Sequence, residues 1–207
     1  IRIKVIDSVT MVLPVDTSIC LTDAFQMPLQ SDGRDFVWTP ATYLDDPNIK
    51  QPIATPEQNI TYQVQGSLGS CITNKTIHVN VFPYPHAYAG EDVMICYGDN
   101  TTLTATGGDR YQWSPTAFLS SPNQAQTQVI APTRTLNYVV EVRYNTGCTK
   151  PAYDTVKVEV VKIVADAGPY DTAIVLRQDL QLRGRGGEFY EWTPSTGLNN
   201  PNISNPI

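Results

Sequence analysis

An eleven-residue phrase occurs three times in this chain. Each copy fits Trp-[Thr/Ser]-Pro-x-x-x-Leu-x-x-Pro-Asn without a gap, starting at Trp38, Trp113 and Trp192. Successive copies start 75 and 79 residues apart, and these three are the only tryptophans in the sequence. A phrase recurring at such a period implies a tandem array of small units rather than one large core. An aromatic that recurs with the period is expected at the centre of each unit, so Trp38, Trp113 and Trp192 are predicted core residues. The period divides the chain into residues 1–9, the last strand of a preceding repeat; 10–83, a first repeat; 84–161, a second; and 162–207, a third that is incomplete at its C-terminal end.

The local pattern is all-β. Ile1 to Ile6, Ile77 to Val81 and Val156 to Val161 alternate apolar and polar residues, as half-buried strands do. Phe36-Val37-Trp38 and Tyr111-Gln112-Trp113 are short strands stopped by Pro40 and Pro115. Thr61 to Gln65 and Leu136 to Tyr144 are further strands. Asp16 to Cys20, Asp92 to Cys96 and Asp171 to Val175 open the three repeats. No apolar 3.6-residue period runs beyond two turns. Short strands with frequent Gly and Pro between them predict tandem β-sandwiches. Their connectors, Ser8 to Val15, Phe82 to Gly90 and Lys162 to Pro169, each hold proline and are expected to be semi-stiff.

Net charge is −6 and the sequence pI is about 4.8, so nucleic acid and anionic membrane are poor partners. No apolar run is long enough to span a bilayer, so no direct membrane insertion is expected. The sequence starts within one strand pattern and stops within another, which predicts a piece of a longer protein.

The four cysteines recur with the repeat. Cys20 and Cys71 are 51 residues apart, and Cys96 and Cys148 are 52 apart. Four cysteines allow three pairings. The spacing predicts Cys20–Cys71 and Cys96–Cys148, each bridge closed within its own repeat. Units of this size sit near the lower limit for a self-sufficient core and usually need such a staple. In the third repeat Val175 takes the place of the first cysteine. No Cys-x-x-Cys is present and only His78 and His86 could assist a metal, so disulfides and an oxidising compartment are expected.

Catalytic motifs are missing: there is no nucleophile elbow, zinc-protease helix, phosphate loop or dinucleotide fingerprint. Gly184-Arg185-Gly186-Gly187 aligns with the Gly107-Gly108 turn and is read as a hairpin. Asp45-Asp46, or Glu91-Asp92 beside Asp99, could hold Ca²⁺. The loops aligned with Asp45-Asp46 carry Ser120-Ser121 and Asn199-Asn200, so a solvated loop is preferred. No enzyme, metal or cofactor is expected. Tyr84, Tyr88, Tyr97 and Tyr170 are the aromatics expected at the surface.

Tyr111-Gln112-Trp113 and Tyr190-Glu191-Trp192, with Thr61-Tyr62-Gln63-Val64 or Asn137-Tyr138-Val139-Val140, resemble PKD and related immunoglobulin-like repeats. More closely, the string Asp-x-x-Ile-Cys, Gly-Gly-x-x-Tyr-x-Trp-Ser-Pro, Leu-x-x-Pro-Asn and Gly-Cys-Thr, read through Asp92 to Thr149, is similar to repeats of giant Bacteroidota surface proteins, associated with gliding motility and exported by type IX secretion. The Asp-Phe-Gly-Asp-Gly turn of PKD domains is absent after the tryptophans. The resemblance implies an extracellular, outer-membrane-attached adhesin or filament. Its partners would be neighbouring repeats, surface polysaccharide or other cell-surface proteins. It also implies O-glycan acceptors at Asp-[Ser/Thr]-aliphatic motifs, namely Ser8, Thr155 and Thr172. Two other functions remain open: a spacer or glycan-binding accessory module of a secreted polysaccharide-degrading enzyme, and a subunit of a self-assembling extracellular fibre.

Overall fold

The computed structural model describes residues 8–207. The strand expected over Ile1 to Ile6 lies outside the described residues. Every regular element among the described residues is a β-strand.

The first unit is built from β1 (Met11–Val12), β2 (Asp16–Cys20), β3 (Phe25–Gln26), β4 (Gln30–Ser31), β5 (Asp35–Thr39), β6 (Ile53–Ala54), β7 (Ile60–Leu68) and β8 (Cys71–Phe82). One face is a four-stranded sheet in the order β2-β8-β7-β5; the other is made by the short pairs β1-β4 and β3-β6. The second unit uses β9 (Val93–Cys96), β10 (Thr101–Thr104), β11 (Arg110–Ser114), β12 (Gln126–Val129), β13 (Leu136–Arg143) and β14 (Ala152–Val161). Its four-stranded sheet has the order β11-β13-β14-β9, faced by β10-β12. The order is the same in both units once equivalent strands are aligned.

Both four-stranded sheets contain one parallel pair. β2 runs parallel to β8 and β9 parallel to β14, while the remaining pairs are antiparallel. Apolar alternation drives this packing. Tyr62, Val64, Ile77 and Val79 point inward from β7 and β8; Tyr138, Val140, Val142, Val156 and Val158 do so from β13 and β14. The two buried faces meet Met27, Leu29 and Ala54 in one unit, and Leu103, Ala105 and Val129 in the other. The result is an all-β, tandem immunoglobulin-like sandwich.

Trp38 and Trp113 are each 1 % exposed at the centre of these cores. The repeated phrase is a loop that folds back over its own indole. Trp38 N donates to Pro47 O (2.8 Å), Trp113 N to Pro122 O (2.7 Å) and Trp192 N to Pro201 O (2.9 Å). Each indole Nε1 donates to the carbonyl eleven residues on: Ile49 (3.0 Å), Gln124 (3.0 Å) and Ile203 (2.9 Å). A buried indole N–H needs such a partner. The peptide bond before Pro40, Pro115 and Pro194 is cis in all three copies. From the neighbouring strand, the Tyr62 hydroxyl donates to Thr42 O and the Tyr138 hydroxyl to Ala117 O, both at 2.8 Å. Burial, then the charge of Tyr43, pushes the Tyr62 pKa up to about 12.

Trp192 departs from expectation. It keeps the loop geometry but is only half-buried. The strands that cover Trp113, β13 and β14, have no counterpart among residues 162–207. For the same reason Asp171 to Val175 and Tyr190 to Trp192, whose counterparts pair with β14 and β13, form no strand; Leu180 to Leu182 forms none either, although Leu182 N donates to Pro206 O at 2.8 Å. Asp171 to Val175 lacks the parallel partner that β14 gives β9.

The connectors are also less separate than expected. β1 pairs with β4, Tyr88 bridges Thr106, and Asp166 bridges Arg185. Each connector is thus stitched into the sandwich it enters. The approach is close: a Cβ on Gly107 would overlap the His86 carbonyl, and one on Gly186 the Val164 carbonyl.

Candidate functional site: the joint between repeats

The predicted disulfides are overturned. Cys20 is bonded to Cys148, a bridge between repeats with a sequence separation of 128 and Cα atoms 4.8 Å apart. The parallel strand explains why. Register places Cys20 beside Phe82, at the far end of β8 from Cys71. Eleven residues of strand span roughly 36 Å, whereas a disulfide needs Cα atoms within about 7 Å. Cys96 likewise lies level with Val161, at the end of β14 remote from Cys148. Neither intra-repeat bridge can form in this topology. A first cysteine paired with the second cysteine of the following repeat obeys the same period, which spacing alone does not distinguish. Cys71 stands at the start of β8, just past the Gly69-Ser70 turn, and Cys96 is exposed.

Chain direction brings the two halves of the joint together. The turn after β2 lies at the end where the chain leaves the first sandwich. The turn between β13 and β14 lies where the chain enters the second. Cys20 is 5 % exposed and Cys148 1 %. Beside the bridge, Lys150 Nζ lies 2.7 Å from Asp23 Oδ2, and the Tyr84 hydroxyl donates to Asp23 Oδ1 at 2.8 Å. Asp23 is held in place by its own amide, which donates to Cys20 O at 3.0 Å. The Lys150 hydrogen bond, then that of Tyr84, lowers the Asp23 pKa; the same contact raises that of Lys150. Phe82 packs on Gly147, where an added Cβ would lie 2.8 Å from the ring. Gly147 has φ +80°, a conformation that favours glycine. One covalent bond, one ion pair and one ring contact therefore meet at a single joint. Spacing missed this site, although Lys150 stands two residues after Cys148 and Asp23 three after Cys20.

The other singled-out residues are dispersed. Asp45 Oδ1 accepts from the amides of Asp46 and Ile53, and Asp46 Oδ1 from that of Asn48. Asn199 and Asn200 make the same contacts in the third copy. The acidic pair thus shapes a loop that needs no charge. Glu91 accepts from the Tyr88 hydroxyl and Asp92 from Lys157 N. Among the described residues no group of three metal-ligating side chains comes together. His78 meets the Thr61 hydroxyl at 2.7 Å on an exposed strand face. Tyr84, Tyr88, Tyr97 and Tyr170 are all exposed, and Lys162 Nζ stands 4.9 Å from the Tyr97 ring centroid. Ser8, Thr155 and Thr172 are exposed and far apart in sequence. Asp154, which precedes Thr155, accepts a hydrogen bond from Ala89 N at 2.8 Å.

No protein-family profile and no curated protein matches this sequence. Solved structures do resemble the fold. Extracellular domains 3–5 of Drosophila OTK superpose with a TM-score of 0.50 at 12 % identity, over 75 % of this chain and 63 % of that one. An I-band fragment of titin gives 0.45 at 9 % identity, over 92 % and 81 %. Immunoglobulin domains 1–5 of Sidekick-1 give 0.34 at 16 % identity, over 74 % and 40 %. The chain thus spans less than two thirds of the OTK and Sidekick-1 structures. At these identities the likeness is one of fold: tandem immunoglobulin-like sandwiches.

Proposed function

We propose that this chain is a non-enzymatic, load-bearing stretch of an extracellular adhesive protein, whose repeats are locked in a fixed mutual pose. The observation that carries this reading is the Cys20–Cys148 bond between repeats. A bond within a repeat stabilises that repeat, whereas a bond between repeats fixes their relative orientation. In the chain-entropy model, closing a loop of 128 residues is worth about 5 kcal/mol. Disulfides persist in oxidising compartments, which supports an extracellular setting. The similarity to Bacteroidota surface repeats supports a more specific version: a gliding-associated, type IX-exported adhesin carrying O-glycans on Ser8, Thr155 or Thr172. The exposed tyrosines suit contact with polysaccharide or other surface proteins.

The bond also has a mechanical role in this reading. Tension along the chain enters at Cys20, crosses the sulfurs and leaves at Cys148. Residues 21–147 lie inside the closed loop and carry no extending load. The separation of 128 residues corresponds to about 450 Å of extended chain. Single-molecule pulling from the two termini tests this. Unfolding of the oxidised protein is expected to release about 450 Å less contour length than that of the reduced protein. Equal release in both states would contradict the load-bearing role.

A further inference from the structure

Each opening segment ends in the same turn. Asp23 N donates to Cys20 O (3.0 Å), Asp99 N to Cys96 O (3.1 Å) and Gln178 N to Val175 O (2.9 Å). The residue before the donor has positive φ in all three: Thr22 at 72°, Gly98 at 84° and Arg177 at 69°. The turn is anchored alike in the first two repeats, by Leu21 N to Phe82 O (2.8 Å) and Tyr97 N to Val161 O (2.9 Å). Cys96 therefore occupies the place of Cys20, and Asp99 the place of Asp23. In the first repeat this pair is engaged: Cys20 holds Cys148 and Asp23 holds Lys150. In the third, Val175 and Gln178 replace both members together. A thiol and a carboxylate that come and go as a pair, on a backbone that does not change, point to one shared ligand.

We infer that Cys96 and Asp99 are the receiving half of a second covalent joint, which takes a Gly-Cys-x-Lys turn of the following repeat in the same polypeptide. This rests on the load-bearing reading and deepens it. The ligand chemistry is read from Gly147-Cys148-Thr149-Lys150: a thiol for Cys96, an amine two residues on for Asp99, and a glycine that lets the turn approach. Cys20, covered by that turn, is buried, whereas Cys96 is exposed. Joining two thiols releases two protons and two electrons. A disulfide oxidant accepts them by exchange: a thiolate attacks it, one of its thiols leaves, and the second cysteine displaces the other. Cys96 lies inside the loop closed by Cys20 and Cys148, so successive loops interlock. No repeat between two such joints could then be drawn out alone.

The four cysteines fall on four separate tryptic peptides: 5–34, 51–75, 76–110 and 144–157. Full-length protein from its native source, thiol-blocked before digestion and mapped without reduction, tests the inference. Peptide 76–110 is expected to be linked to a cysteine peptide C-terminal to residue 207 of the same polypeptide. Cys96 recovered alkylated, bonded to Cys71, or joined to a second polypeptide seen on a non-reducing gel would each overturn it. If Cys20–Cys148 is recovered while Cys96 is not bonded as proposed, this inference fails and the load-bearing reading stands. Loss of both bonds removes both.

Discussion

The ring of Phe82 packs against Gly147 of the next repeat. Alanine there would strain a φ of +80° and set a Cβ 2.8 Å from the Phe82 ring. The Gly147→Ala variant is expected to cost at least about 1 kcal/mol. It is also expected to lower the yield of the Cys20–Cys148 bond after oxidative refolding; an unchanged yield would remove Gly147 from the joint. Asp23 supplies the pH dependence. Its pKa is depressed below the ordinary 3.8, so its contribution is complete above that value and lost as pH falls through the lowered one. Lys150 is raised above 10.5, so its share is complete below that value and lost only as pH rises through the higher one. The ion pair thus spans the neutral range. NMR titration of the Asp23 carboxyl carbon is expected to give a midpoint below 3.8; one at or above it would mean the Lys150 and Tyr84 contacts are absent in solution. At this scale the sequence was readable for Trp38 and Trp113, because burial of an aromatic recurs with the period, but not for Trp192, which carries the same phrase and is only half-buried. The Asp23–Lys150 pair was not readable, since its members belong to different repeats.

The strand elements show where sequence pattern stops being informative. Alternation locates β5, β7, β8, β13 and β14, because each has one face in a core. It carries no sign of strand direction. Asp16–Cys20 could pair with its neighbour either way, and only the parallel choice separates Cys20 from Cys71 by the length of β8. That single choice turned two expected bridges within repeats into one between them. The third repeat shows the complementary point. Its phrase forms the same loop around Trp192 because those bonds are local, while Asp171 to Val175 and Tyr190 to Trp192 form no strand because residues 162–207 hold no counterpart of β14 or β13. The repeated phrase should therefore act as the seat of each core. Trp113→Ala removes the largest side chain of the second core and leaves Gln124 O without its donor. A loss of about 3–5 kcal/mol is expected for that repeat. Thermal unfolding should then resolve two transitions, the first sandwich melting near its original temperature. A single unshifted transition would show that the indole is not central.

The molecule as a whole is governed by how its ends meet. The turn after β2 of the first sandwich meets the turn between β13 and β14 of the second, and this joint closes with sulfur, charge and a ring contact. The period announced the array, and apolar alternation the all-β class. The period left open which repeat each cysteine serves, because both solutions are periodic. The decisive measurement is the disulfide partner of Cys20 in the 207-residue protein, produced in an oxidising compartment, thiol-blocked, digested with trypsin and mapped without reduction. Peptide 5–34 is expected to be recovered linked to peptide 144–157. Recovery of 5–34 linked to 51–75 instead would place the staple within the repeat and contradict the locked joint.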